Sequence, residues 1–395
     1  MYEMDDLGMN ETNSMYTCIF RCEKGIYDTP SLNSESGDLM LDNYLDRTIP
    51  IGNAFTAREI QLENLLINYK SDLKPIMTKV PQKERNEILE KINKYELSEN
   101  VVYFSEKYEK YFEERNAFLW KFLGAIFTET GATLSTVDKK YMDSVTDIKI
   151  IISILCGILD DVADVHKDKE LLNKMMNAIY TKENLYSDCK DERVCFVKEI
   201  WEFLSDEIMK LPRYEEFKDI FMYDFKQFMN AFEYSCLINK NPKMICLQES
   251  ENYDAHNMMV FIFNGIDLMA SPKFNEDELP HIRTVFWHAQ KMARIGNWLS
   301  TWKRELKQND LGSGVFTYAI SKKILDENDL NNLSKEEIIS RIEDSDVNEF
   351  FMNSWTQNYE KLNSLKGKIN SIDIESYING LRSVIKYHLS TEGLK

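Results

Sequence analysis

The chain has 395 residues, 43% of them hydrophobic and 12% aromatic, enough to bury a sizeable core in one large domain or two modest ones. Acidic residues outnumber basic ones 66 to 48, a formal net charge of −18 that argues against a nucleic-acid or anionic-membrane partner, since either needs a basic surface. A phosphorylated substrate stays open if metal ions neutralise it locally.

Residues 1–54 mix Gly, Asn, Ser and Asp with Pro30 and Pro50 and hold no sustained period, which predicts an irregular N-terminal extension. The opening has no basic stretch followed by an apolar one, so no secretory signal is read there. From Phe55 onward apolar residues recur at steps of three and four. Helices are expected near 55–70, 83–96, 104–130, 144–164, 168–182, 192–211 and 215–238. Others follow near 254–270, 276–308, 314–326, 334–344, 346–366 and 373–391, with Ser334 and Glu337 reading as a capping box. Pro75, Pro81, Pro212, Pro242, Pro272 and Pro280 fall at or near these boundaries. Alternating strand-like runs are scarce, so the expected fold class is all-α, a single helical domain over 55–395. The longest apolar run, near 150–159, is too short to span a bilayer. Seven dispersed cysteines without a CxxC pair read as reduced thiols in a cytoplasmic protein. A homodimer is compatible with the sequence and not specified by it.

Two motifs carry chemistry. Asp160-Asp161-Val162-Ala163-Asp164 ends the apolar segment that starts at Ile150. At about 100° per residue its three aspartates share an arc of about 100°. The bland alternative is a helix end meeting solvent. Carboxylates at a helix C-terminus are electrostatically unfavourable, however, and a cation would offset that. Asn297, Thr301 and Glu305 sit on successive turns, within about 80° of one another. Ser300 points about 140° from Glu305, so Thr301 is the better ligand of the two. This set is either the polar stripe of a surface helix or a ligand set. Trp298, Leu299 and Trp302 crowd the other faces and imply burial. Carboxylates, an amide oxygen and a hydroxyl are the groups that Mg²⁺ takes together with water and phosphate. Arg294, Lys303 and Arg304 either meet an anion or pair with neighbouring acids.

The two motifs in this order, on a helical background, resemble the class I terpene synthases, specifically the compact single-domain type of microbes and marine invertebrates. The resemblance covers roughly residues 60–395. It implies a helical barrel in which the motifs face each other and bind three Mg²⁺ ions, with Mn²⁺ as the alternative ion, that hold an isoprenyl diphosphate. Asp160, Asp161 and Asp164 would belong to the first metal motif, and Asn297, Thr301 and Glu305 to the second. The chain departs from the family where an acidic residue commonly follows the motif asparagine, since Trp298 stands there. It departs again where many members carry a diphosphate-sensing arginine, since that position is Glu251. The closest match to a C-terminal Arg-Tyr pair is Lys386-Tyr387. The segment around Asn264 and Gly265 reads either as the family's kinked helix or as a core helix with a packing glycine. Aromatics that could line a cavity and stabilise a carbocation include Phe118, Trp120, Phe122, Phe127, Phe261, Phe263, Phe286 and Trp355.

The resemblance implies metal-assisted ionisation of an acyclic isoprenyl diphosphate, cyclisation of the carbocation and release of diphosphate. Small residues below the aspartates, Cys156 and Gly157, favour geranylgeranyl diphosphate and a diterpene product. The alternatives are a sesquiterpene cyclase using farnesyl diphosphate, an isoprenyl diphosphate synthase, and a non-catalytic helical interaction protein. A synthase of longer chains usually carries two aspartate-rich motifs, whereas one is present here. No Ser-His-Asp or Cys-His set is read, and the five histidines show no metal spacing.

Overall fold

Burial, more than local propensity, decides where this chain is helical. The computed structural model describes residues 80–394 except 113, 181–189 and 327, all within the unit Tyr69–Lys395. The expected extension over 1–54 and the helix near 55–70 lie outside the described residues. Among the described residues there is no strand. The helices begin with α1 (Gln82–Lys94), α2 (Glu99–Tyr111), α3 (Ala117–Glu129), α4 (Met142–Asp160) and α5 (Lys169–Tyr180). They continue with α6 (Glu192–Met209), α7 (Tyr214–Lys240), α8 (Leu247–Asn252), α9 (Val260–Met269) and α10 (Leu279–Gln308). The last five are α11 (Gly314–Ser321), α12 (Asp329–Asn332), α13 (Lys335–Glu343), α14 (Val347–Asn363) and α15 (Ile374–Ser390).

α4 is the axis of the packing. Its run Ile150-Ile151-Ile152-Ser153-Ile154 is β-branched and a modest helix former alone. Every residue from Ile148 to Leu159 is nevertheless buried, as expected of a helix apolar on all sides. α2, α3 and α6 pack against it, and α9 reaches it from the other direction. α10 is the second long support, about 45 Å from end to end. It lies against α9, α14 and α15, and α15 returns to α1 and α3, closing the set of helices on itself. Deep between α4 and α9, Lys149 and Asp267 form an ion pair of 2.5 Å with both side chains almost fully buried. Burial pulls the ammonium below its ordinary range and pushes the carboxyl above its own.

Three boundaries differ from the sequence reading. The expected helix over 104–130 is two helices, because Asn116 caps α3 by accepting a hydrogen bond from the Phe118 amide. The expected helix over 254–270 is a 3₁₀ turn, Asp254–Met258, followed by α9. The break between them falls at Met259, whose φ of 56° is left-handed, and Gly265 lies inside an unbroken helix. The expected segment 144–164 ends in a π turn, Asp161–Val165, which carries the end of the aspartate motif. The capping box at Ser334 and Glu337 is present.

α15 docks on the loop after α3 through Gly380. A Cβ added there would stand 2.8 Å from the backbone of Thr130 and Gly131, which has nowhere to go. Gly380→Ala is therefore expected to destabilise by about 1–3 kcal/mol. Gly367→Ala, with nothing within 4 Å, should change stability by under about 0.5 kcal/mol. Urea denaturation of both variants checks this; equal midpoints would refute the close packing of α15.

Candidate active site

The C-terminal end of α4 brings Ser153, Cys156, Asp160 and Asp164 to one cavity of about 180 Å³. Across from them, α10 contributes Arg294, Asn297, Thr301, Arg304 and Glu305. Both sequence motifs therefore face the same space, with Asp161 the exception. Leu119, Trp120, Phe122 and Leu123 of α3 line the apolar part, with Met259 and Phe263 opposite.

Asp161 leaves the cavity because the backbone is still regular there: its N–H bonds the Gly157 carbonyl, so it stands about 100° around the helix from Asp160. His166 N–H then bonds the Asp161 carbonyl, which widens the turn that carries Asp164. Asp161 is 1% exposed and accepts hydrogen bonds from the Tyr108 hydroxyl and from Arg115 Nε at 3.1 Å. Asp164 turns toward α7, where the Ser235 hydroxyl and Asn239 Nδ2 donate to it. Asp160 stays central, accepting from Asn257 Nδ2 at 2.8 Å and from Arg115 Nη2.

Arg115 was missed because the sequence pattern placed it inside a continuous helix. It sits just before the Asn116 cap, lines the cavity and bridges Asp160 and Asp161. Burial pushes Asp160 up, but Arg115, Asn257 and Arg294 outweigh it and hold the carboxyl below its ordinary range. For Asp161 burial prevails, and the repulsion of Asp160 adds to it against Arg115, so its pKa stands at about 6. Burial and the neighbouring Asp310 and Asp160 push Asp164 well up. Gly157, counted in the sequence as pocket depth, instead makes room for Trp120 and Arg115; its Cβ would lie 3.3 and 3.4 Å from them.

The second motif is internally bonded. The Thr301 hydroxyl donates to Glu305 Oε1 at 2.6 Å, and Arg294 Nη1 donates to Asn297 Oδ1 at 2.9 Å. Asp254 anchors Arg294, accepting from Nη2 at 2.6 Å and from Nε at 2.9 Å. Asp310, in the loop after α10, is a further acid on the cavity that the sequence reading passed over. Burial and then Glu305 push it up to about 6, while Gly312 N–H and Asn239 Nδ2 donate to it. His388, given no role from the sequence, also lines the cavity, with its ring edge-on to Phe122 at 5.4 Å.

Several expected site residues lie elsewhere. Lys303 is drawn outward to Glu343 at 2.6 Å and Glu392 at 3.3 Å, and Lys386 pairs with Glu84 on α1. Tyr387 is buried beside Phe122 with its hydroxyl unpartnered, outside the cavity lining. Phe118 of α3 is not among the residues that line the cavity. Phe261 and Phe286 pack edge to face at 5.9 Å between α9 and α10, and Trp355 stacks on Tyr359 within α14. Asn264 donates to the Val260 carbonyl and to the Tyr377 hydroxyl, and Gly265 lies against Phe221 of α7. Of the aromatics named from sequence, Trp120, Phe122 and Phe263 line the cavity.

Four buried polar atoms of cavity-lining residues lack hydrogen-bond partners: Glu305 Oε2, an acceptor, Arg304 Nε and Trp120 Nε1, both donors, and the Ser313 hydroxyl. Among the described residues, no three His, Cys, Asp or Glu side chains converge on a ready-made metal site. The acids are instead spread around the cavity. That suits Mg²⁺, which takes one or two carboxylates with water and phosphate oxygens rather than an all-protein cage. The donor set fits such an ion.

Removing Arg115 should leave Asp161 buried without its counter-charge. Arg115→Gln is expected to cost about 3–5 kcal/mol at neutral pH. Adding Asp161→Asn should restore a large part of that loss. A double-mutant cycle by chemical denaturation measures the coupling; additive losses would refute the bridge.

No family model matches the sequence, and no curated protein matches it. Among solved structures, the chain is similar to isoprene synthase from grey poplar leaves (Populus x canescens), with a TM-score of 0.49 and 13% identity. The match covers 82% of this chain and 58% of that one, so this chain spans under two thirds of the neighbour's length. Among the described residues, no helix is long and apolar enough to cross a membrane.

Proposed function

We propose that this protein is a metal-dependent class I terpene cyclase acting in the cytoplasm on an acyclic isoprenyl diphosphate. The observation that carries the reading is that Asp160 and Asp164 share one cavity with Asn297, Thr301 and Glu305, and that Leu119, Trp120, Phe122, Leu123, Met259 and Phe263 give the same cavity an apolar wall. Asp160, Asp164, Asn297, Thr301 and Glu305 would hold Mg²⁺. Asp161 would act behind them, fixing Arg115. When bound, the ions supply Lewis acidity that neutralises the diphosphate as its allylic C–O bond breaks.

The chain's own side chains supply the rest. Arg294 and Arg304 line the same cavity and take phosphate oxygens, with Arg304 Nε still free to donate. Arg115 balances Asp160 until the substrate arrives. Trp120, Phe122 and Phe263 present ring faces or edges to the isoprenoid chain, and a ring face near a dry cation stabilises it by roughly 2 kcal/mol or more. Leu119, Leu123 and Met259 exclude water, so that cyclisation precedes capture. Geranylgeranyl diphosphate remains the favoured substrate on the strength of small Ser153 and Cys156 below Asp160; Gly157 no longer supports it.

The test is product analysis by gas chromatography–mass spectrometry after incubation with Mg²⁺ and C10, C15 or C20 allylic diphosphates. A cyclic hydrocarbon or alcohol is expected. Asp160→Asn and Asn297→Ala should each lower its yield by roughly a hundredfold or more, and EDTA should abolish it. Folded protein that consumes no substrate would sink the proposal. Longer linear diphosphates would identify an isoprenyl diphosphate synthase.

A further inference from the structure

α10 borders a second pocket beside the cavity. At about 100° per residue, Lys291, Ile295 and Trp298 are centred roughly 90° around the helix from Asn297, Thr301 and Glu305, and Arg294 falls inside the arc of the latter set. Lys291 and Trp298 line a separate pocket of about 50 Å³ against Ser354, Gln357 and Lys361 of α14, and Arg294 lines both spaces.

The charge in this pocket is unusual for so acidic a chain. Acids outnumber bases 66 to 48, yet among the described residues neither Lys291 nor Lys361 has a carboxylate within ion-pairing distance. Lys291 is half-buried with its ammonium over the Trp287 ring at 5.4 Å, and Lys361 is near enough to repel it. The Arg294 guanidinium is already paired with Asp254, but two ammonium groups facing one pocket repel each other unless an anion offsets them. The pocket's own carboxylate, Glu251, attracts Lys291 but forms no ion pair with it. Burial pushes the Glu251 carboxyl above its ordinary range, and Lys291 pulls it back down. Ser354 and Gln357 add neutral groups able to donate hydrogen bonds.

We propose that this pocket is a second anion site, taking one phosphoryl-type group between Lys291 and Lys361. Its size suits a single tetrahedral anion and no isoprenoid. Two sources offer that chemistry, free orthophosphate and one end of inorganic diphosphate. The site is distinct from the metal cavity and does not depend on the cyclase reading.

The experiment is isothermal titration of the full chain, freed of divalent metal, with orthophosphate and separately with inorganic diphosphate. No isoprenyl substrate is present, so failure here and failure of the proposed activity are separable. Saturable orthophosphate binding is expected. It should weaken roughly tenfold in Lys361→Gln and in Lys291→Gln, since each loses one charge-assisted hydrogen bond. Lys361 is exposed, so that variant should keep the parent's melting temperature even if Lys291→Gln does not fold. Glu251→Gln should tighten binding by removing the opposing charge. Arg304→Gln, which alters the cavity alone, should leave it unchanged. Orthophosphate binding that is absent, indifferent to Lys361→Gln, or lost in Arg304→Gln overturns the proposal. Where orthophosphate binds as expected, tighter diphosphate binding that Lys361→Gln also weakens supports the proposal with inorganic diphosphate as the better-fitting source.

Discussion

Carboxylates crowded into a protein interior repel one another and lose their hydration, so a fold that gathers them must fix a counter-charge beside them. Asp160, Asp161, Asp164, Glu305 and Asp310 are gathered in this way, and Arg115 and Arg294 are the fixed counter-charges. Each arginine is itself tied to a carboxylate beyond the cavity lining, Arg115 to Asp161 and Arg294 to Asp254. The positive charge is thus held in place by a second acid and cannot collapse fully onto the first. Asp164 and Asp310 have no arginine. They share the Asn239 amide, whose single nitrogen donates to both at 3.1 Å and whose carbonyl oxygen accepts from Leu311.

The helices serve this arrangement. α4 is buried on every side, so its register is set by packing, and Asp160 is placed by the same contacts that bury Ile152 and Leu159. α10 is held by α9, α14 and α15 along its length, which fixes where Asn297, Thr301 and Glu305 stand. Irregular backbone appears where the site requires it: the π turn at Asp161–Val165, the Asn116 cap and the left-handed Met259 all border the cavity. Such departures from regular geometry concentrate at functional sites.

The helical class was legible because apolar residues recur at three- and four-residue steps in nearly every segment, and long helices such as α7 and α10 lie within two or three residues of their expected bounds. Breaks without Gly or Pro were not legible. Glu114-Arg115-Asn116 carries no strong punctuation, so the junction between α2 and α3 was overlooked, and Arg115 with it. The only visible signal was Asn116, a good N-cap read as an interior residue. Asn264-Gly265 reads equally as a break or as a helix interior with a packing glycine; it is the second, with Gly265 against Phe221, while Met259 takes the unfavourable φ. Ideal helical angles also fail after Asp161, since a π turn shifts the later side chains, while Asp161 itself reaches Tyr108 from a regular helical position. Which aromatic faces the cavity depends on how helices rotate against each other, and a one-dimensional pattern does not encode that.

The contrast between a surface stripe and a built site turns on burial and satisfaction. A stripe on an amphipathic helix would be solvated, and its spare donors and acceptors would be met by water. Thr301 is 2% exposed and Glu305 7%, so water meets them poorly. Glu305 Oε2 nevertheless has no donor, and on the neighbouring residue Arg304 Nε has no acceptor. Leaving a buried polar atom unpaired costs roughly 1–3 kcal/mol, more when it is charged, and here both signs of deficit occur side by side. Direct pairing would cure both at once, but Arg304 Nη2 stays 3.9 Å from Glu305 Oε1 and Nη1 turns to Gln308. A cation alone would satisfy the glutamate and worsen the arginine; an anion alone would do the reverse. A ligand carrying both, a metal ion together with the phosphate oxygens it binds, would satisfy the two together, as the proposed function requires.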